Sequence, residues 1–277
     1  MAFNHKEVYD WYKLPAVKFE IIKFLKNREM CIINKEVSAK TVRMLKCHSV
    51  QHFDFINNTM IKVEEQNTLY NYYYSLARYI RGIPDQSPNL KERDNSKWTA
   101  EHHFEMEAYD LLIDIDGEFE YMDSAFDSAK EIKAFFDKCN MPYELRFSGC
   151  GFHFIVPYEL IGVGFSLNPK DENNVYNLYY KIARFLFDNY SEMVDFSIYD
   201  SRRITKIPYS IAIYNEGNFM CYPFISELDF NEFNLDRMRI SNIDKNSIRG
   251  RGVKLFNSQG NAYDLLKNIK DRGGFNG

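Results

Sequence analysis

Asp110-Leu111-Leu112-Ile113-Asp114-Ile115-Asp116-Gly117 is an apolar run that ends in two carboxylates one residue apart. A continuous apolar run of this length reads as a buried strand, expected over residues 109–115. Side chains alternate across a strand, so Asp114 and Asp116 fall on the same side. Like charges held that close repel one another, and a divalent cation between them relieves the repulsion. Hard oxygen donors of this kind suit Mg²⁺ or Mn²⁺. Asp and Gly also end strands and open turns, so the weight of the motif rests on its surroundings.

Toward the C-terminus, Ser124 or Asp123 is placed to cap a helix running to about Lys138, with Ala125, Ala129, Ile132 and Phe136 on one face. Strands are expected over residues 143–147 and 152–156, joined by the tight turn Ser148-Gly149-Cys150-Gly151. A second helix is expected over 171–190, then strands over 194–198, 204–208 and 211–214, with a return strand over 219–223. The order β-α-β-β-α-β plus a hairpin is a split βαβ arrangement with antiparallel pairing. Such a sheet carries its helices on one face and leaves the other to line a cleft. Before this region, helices are expected over 6–12 and, past Pro15, to about Lys26, with strands over 30–33 and 69–79 and a loop over 81–101. Two further helices are expected over 230–238 and 263–270. The expected fold class is α+β: an N-terminal α/β module over 1–104 forming one wall of a cleft, a split βαβ (RRM-like) catalytic core over 105–225, and a C-terminal helical segment over 226–277 packed on the core.

The chain has 277 residues and a net charge of −4, which argues against coating nucleic acid by bulk electrostatics. Its distribution is uneven. Residues 101–200 hold 20 Asp and Glu against 7 Lys and Arg, while both ends are net basic, the pattern of a metal-binding centre whose walls receive phosphates. The five cysteines are scattered and include no CxxC pair, so neither a disulfide framework nor a zinc site is expected; Cys47 and His48 with His52 form at most half a site. No stretch approaches the ~18 apolar residues of a membrane span, and the start shows no secretory core. The expectation is an intracellular protein without a membrane partner, cytoplasmic or nucleoid-associated, or nuclear in a eukaryote.

Two further elements end in groups suited to chemistry. In Phe147-Ser148-Gly149-Cys150-Gly151-Phe152-His153, the glycines allow a backbone turn close to a ligand, and Ser148 and His153 add side-chain donors. In Val194-Asp195-Phe196 followed by Arg202-Arg203-Ile204-Thr205-Lys206-Ile207-Pro208-Tyr209-Ser210, an acid precedes cations suited to a triphosphate. Taken together and in this order, the three elements resemble the catalytic core of the archaeo-eukaryotic primase superfamily, most closely the small catalytic subunit of replicative primases. The resemblance reaches upstream to Arg28-Glu29 and to Tyr73-Tyr74-Ser75-Leu76-Ala77-Arg78-Tyr79 and covers roughly residues 8–225. It implies a template-directed nucleotidyltransferase, a DNA primase or primase-polymerase. Asp114, Asp116 and Asp195 would hold two Mg²⁺ or Mn²⁺ ions, and Ser148, Gly149, Gly151, His153, Arg203 and Lys206 would bind the incoming nucleotide. Arg28, Ser75 and Arg78 would contact template or primer. Asp200 lies close enough in sequence to compete with Asp195. The implied partners are a single-stranded DNA template, nucleoside triphosphates, and a second primase subunit, a helicase or another replication or repair protein. The cysteine-rich zinc element common in replicative small subunits is missing.

Two other readings share these residues. A haloacid-dehalogenase-like phosphatase also ends an apolar strand in DxDG, with Asp114 as nucleophile and Asp116 as general acid, but no acidic GDxxxD-type motif follows. A non-catalytic RRM-like nucleic-acid-binding module would use the many Tyr and Phe as stacking platforms. Three carboxylates on its sheet would repel phosphate.

Overall fold

The computed structural model describes residues 4–34, 41–65, 68–80 and 105–275; the loop expected over 81–101 lies outside them. Helices α1 (His5–Lys13) and α2 (Pro15–Lys23) open the described chain. Asn4 caps α1 by accepting from the Glu7 amide, and Pro15 takes the first position of α2, where its missing N–H has no helical partner to lose. Strands β1 (Met30–Asn34) and β2 (Thr41–Leu45) follow, then α3 (Val50–Phe55), which runs into a π-helical turn at Ile56–Met60. Next come β3 (Tyr70–Ser75), β4 (Ala77–Tyr79), β5 (Met106–Tyr109) and β6 (Leu111–Asp116). Helix α4 (Met122–Lys138), strands β7 (Glu144–Phe147) and β8 (Gly151–Val156), the short α5 (Tyr158–Ile161) and α6 (Val175–Asn189) continue the chain. Strands β9 (Val194–Asp195) to β13 (Tyr222–Pro223) include β10 (Ile204–Lys206), β11 (Ile211–Tyr214) and β12 (Gly217–Met220), and α7 (Glu227–Asn231) and α8 (Tyr263–Asp271) end it.

These elements make a mixed α+β structure with two main sheets. One has the order β13-β7-β8-β6-β9 and the other β10-β3-β1-β2, every pairing antiparallel. Helices α4 and α6 lie over one face of the first sheet, where Ile113, Phe154 and Leu145 sit side by side and fully buried. The Phe136 ring of α4 meets Phe154 at 5.5 Å, and Phe135 meets Phe185 of α6 at 5.8 Å. Truncating a buried Phe such as Phe154 to Ala costs about 3–5 kcal/mol, so this layer fixes where β6 and β8 lie. The opposite face turns toward the second sheet. Arg146, fully buried, ties the two together, donating to Glu144 at 2.8 Å, to the Tyr74 hydroxyl at 3.1 Å and to the Lys206 carbonyl at 3.3 Å. Strand β10 comes from the 105–225 segment yet pairs with β3 of the first hundred residues.

Several sequence expectations need correction. The strand expected over 109–115 breaks at Asp110, whose carboxylate accepts from Arg28 and from the Tyr158 amide, so that β5 pairs with β4 and β6 with β8. Neither Ser124 nor Asp123 caps α4, which starts at Met122 behind a 3₁₀ turn over Phe119–Tyr121. Helix α6 starts at Val175 rather than 171, because Asn174 caps it while Asp171 is taken up by Ser166 and Asn168. The strand expected over 194–198 stops at Asp195, whose carboxylate turns back to the Ser197 amide at 2.8 Å. The helix expected over 230–238 is two pieces, α7 and a 3₁₀ turn over Leu235–Met238 capped by Asn234. Among the described residues no helix is long and apolar enough to cross a membrane.

Candidate active site

The register of the first sheet assembles the site. Arg146 of β7 lies opposite His153 of β8, His153 opposite Asp114 of β6, and Asp114 opposite Asp195 of β9. Directly opposed residues share a face, so one row across four strands carries an arginine, a histidine and two aspartates. Asp116 follows two residues on, opposite Gly151, on the same face as Asp114. The aromatic residues of these strands, Phe147, Phe152 and Phe154, alternate to the helix-covered side. Facing the polar row are Arg203, Thr205 and Lys206, carried on and just before β10, with Ile33 of β1, Tyr73 of β3 and Tyr214 of β11. They close a cleft of about 410 Å³. A wider, open hollow of about 590 Å³ continues past Asp116 and Gly117 along Glu118, Tyr121, Ser124 and Met193.

Charges in the cleft are interlocked. The His153 Nε2 is 3.1 Å from Asp114 Oδ1, and its Nδ1 is 3.0 Å from the Thr205 hydroxyl. Arg203 Nη2 stands 3.6 Å from Asp114 Oδ2 and 3.9 Å from Asp195 Oδ2. Lys206 reaches the Tyr73 hydroxyl at 3.4 Å, with its ammonium 5.1 Å and 5.5 Å from the rings of Tyr73 and Tyr214. The two carboxylates of the motif are pushed in opposite directions. Burial works to raise the Asp114 carboxyl, but His153, Arg203 and Lys206 outweigh it and hold Asp114 below the usual carboxylate range. For Asp116, burial and then the charges of Asp114 and Asp195 all raise it.

The chain itself requires the glycines of the turn. Gly149 has φ +109°, and a Cβ there would lie 2.1 Å from the Cβ of Ala212. A Cβ on Gly151 would lie 2.2 Å from the Ile115 carbonyl of the neighbouring strand. The turn thus approaches β6 and β11 closely, and Ser148 and Cys150 line the cleft. The Ser148 amide closes the turn on the Gly151 carbonyl at 2.9 Å.

The structure brings Asp114, Asp116, Ser148, His153, Arg203 and Lys206 to one cleft, with Asp195 beside Asp114. Asp200 is exposed and accepts from the Arg202 amide within its own turn. The three residues expected at the template lie elsewhere. Arg28 is paired with Asp110 at 2.5 Å and donates to the Ser75 and Leu76 carbonyls. Ser75 is buried, donating to the Ala77 carbonyl and accepting from the Glu29 amide. Arg78 pairs with Glu159. Their roles here are to pin β3, β4 and the break at Asp110. Thr205, Tyr73 and Tyr214 are site residues that the sequence reading passed over. Thr205 sat inside the quoted basic run, and its two-residue spacing from Arg203 was the available signal; Tyr73 opened a quoted stretch without being singled out, and nothing local marked Tyr214.

Among the described residues, no three His, Cys, Asp or Glu side chains already converge as a metal's ligands would. At this site a guanidinium stands between two of the carboxylates instead. The donor chemistry nonetheless fits a hard divalent cation: Asp114, Asp116 and Asp195 offer only oxygen.

The sequence matches no family model, and no curated protein matches it. Among solved structures, the chain is similar to the polymerase domain of Mycobacterium tuberculosis ligase D, solved in complex with DNA. The TM-score is 0.47 at 12% identity, over 98% of this chain and 89% of that one. It is also similar to primase RepB′, with a TM-score of 0.40 at 10% identity over 94% of this chain, which spans 65% of that one.

Proposed function

We propose that the protein is a metal-dependent nucleotidyltransferase of the primase-polymerase type, making or extending short primers on single-stranded DNA. The observation that carries this reading is the opposition in one cleft of Asp114 and Asp116 of β6 to the cations at Arg203 and Lys206, with Asp195 of β9 paired beside Asp114. An arrangement of acids against bases suits a substrate that brings both a polyphosphate and divalent ions. The strand order β9-β6-β8-β7, with α4 and α6 as the crossovers, supports the split βαβ reading of the core.

In this reading Asp114, Asp116 and Asp195 would hold Mg²⁺ or Mn²⁺. When bound, two such ions would supply activation of the attacking hydroxyl and screening of the charge on the leaving pyrophosphate. The chain's own residues supply position and charge. Lys206, steadied by Tyr73 and Tyr214, and Arg203 take the phosphates. Ser148 sits at the turn end of the cleft. His153, fixed between Asp114 and Thr205, orients the carboxylate and presents its ring edge to the triphosphate. The hollow beyond Asp116 gives the primer end an approach to the same carboxylates. Preorganised charge of this kind supplies most of the acceleration in phosphoryl transfer.

Both alternatives fare worse on the geometry. A phosphatase needs Asp114 free to attack, yet each of its oxygens faces a cationic or donor group. A stacking module needs aromatic residues on the open face of the sheet, and that face carries Arg146, His153, Asp114 and Asp195. The test is incubation of a single-stranded template with labelled nucleotides and Mg²⁺ or Mn²⁺, with and without a primer. Incorporation by the wild-type chain and its loss in Asp114→Ala and Asp116→Ala is the expected result. Near-normal incorporation by either variant removes the metal assignment.

A further inference from the structure

Arg203 occupies an unusual position. Asp114 and Asp195 are directly opposite one another on adjacent strands, a placement that is destabilising for like charges. One guanidinium nitrogen, Arg203 Nη2, lies within 4 Å of both. The rest of the residue is fastened at the backbone, its carbonyl accepting from the Leu76 amide at 3.1 Å and its amide donating to Asp200 at 3.3 Å. Its Nε is buried and has no hydrogen-bond partner among the described residues. The side chain is thus anchored at its base and attracted at its tip to two carboxylates.

We infer that Arg203 is the resident counter-cation of the metal-free site: it bridges Asp114 and Asp195 until a divalent ion displaces it, and it then turns to the nucleotide's phosphates. This rests on the nucleotidyltransferase reading and adds a coupling to it. Metal and guanidinium compete for the same carboxylate oxygens, so the cation alone binds weakly. A triphosphate offers the displaced guanidinium a new partner. Each of the two ligands therefore strengthens the other, and by linkage to the same factor. The site stays closed to stray cations and loads when both substrates arrive.

The experiment is Mn²⁺ binding to the full chain without nucleotide, read from the paramagnetic resonance of free Mn²⁺, for wild type, Arg203→Gln, Arg203→Lys and Asp114→Asn. Removing the competitor should tighten Mn²⁺ binding by about tenfold in Arg203→Gln, a modest share of what a charge at this distance exerts near a protein surface. Arg203→Lys keeps the charge but not the planar fork, and it should fall between. Thermal unfolding supplies a second readout: without metal, Arg203→Gln should melt below wild type, and saturating Mn²⁺ should close the gap. Equal or weaker Mn²⁺ binding by both Arg203 variants, with wild-type binding that still depends on Asp114, overturns the inference and leaves the metal site standing. Binding that is indifferent to Asp114→Asn removes the metal site and the inference together.

Discussion

The break at Asp110 offers the sharpest quantitative test of the structure. Arg28 and Asp110 meet at 2.5 Å with side chains only 10% and 8% exposed, and Arg28 also donates to the Ser75 and Leu76 carbonyls at 2.9 and 2.7 Å. Asp110→Ala leaves a guanidinium buried without its counter-ion, and Arg28→Ala leaves a carboxylate in the same position. Breaking a buried pair from one side costs about 3–5 kcal/mol. For a chain of this size that is a drop in melting temperature of roughly 6–10 °C. The double variant should lose less than the two single losses combined, because the second change removes the very group that the first left unpaired. A coupling of about 2 kcal/mol or more is expected. Urea unfolding followed by circular dichroism measures all four corners of the cycle. Single variants within about 0.5 kcal/mol of wild type, typical of exposed pairs, would show that water reaches this pair and that the argument fails. Unchanged stability in Arg28→Ala with weakened DNA binding would return Arg28 to the template.

Asp114→Asn and Asp116→Asn should change stability in opposite senses. The depressed Asp114 carboxyl contributes stability above the ordinary value of 3.8 that is lost as pH falls through its folded value, so Asn there weakens the neutral-pH protein. The raised Asp116 carboxyl contributes below 3.8 and loses that contribution as pH rises through its folded value, so Asn there stabilises at neutral pH; urea midpoints between pH 3 and 7 read both signs, and two shifts of the same sign refute the assignment. Gly151→Ala should cost about 1–3 kcal/mol through overpacking against the Ile115 carbonyl. Because β6 must yield, it should also lower nucleotide incorporation by about a hundredfold, the scale of a 1 Å misplacement; wild-type incorporation at reduced stability would separate the turn from the site. With its acidic middle, the isolated chain should bind a short single strand no tighter than micromolar at physiological salt, a second subunit or helicase supplying the remaining affinity. Nanomolar, salt-insensitive binding in an anisotropy titration would count against that.

Element types were legible where periodicity was strong. Ala125, Ala129, Ile132 and Phe136 marked α4, and the glycine turn marked the β7–β8 hairpin, because burial of one face imposes those spacings. Ends were misread where a polar side chain bonds within its own turn. Asp171, Asp195 and Asn234 each look like ordinary strand or helix residues until their turn partners are known. The sheet row was half legible: the sequence placed Asp114, His153 and Asp195 on three strands, but only register sets them side by side. The protein partners of the residues expected at the template were not legible for a general reason. An arginine beside a conserved-looking motif reads alike whether it meets a phosphate or a buried aspartate, and Asp110, Arg28's partner, lies 82 positions away.

Asp195 is clamped to β6 of one sheet, and Ile204 begins the strand clamped to β3 of the other. Residues 196–203 are therefore a tether of fixed length across the cleft, knotted midway by Tyr109 and Arg203 on the Asp200 carbonyl. Surface turns usually absorb an added or lost residue without consequence. This one sets the phase between two charge patterns. A single residue gained or lost moves the cations by one strand step, about 3.3 Å, and turns alternate side chains away from the acids they face. The stretch that looks most like a disposable connection is thus the ruler that keeps one wall of the cleft in step with the other.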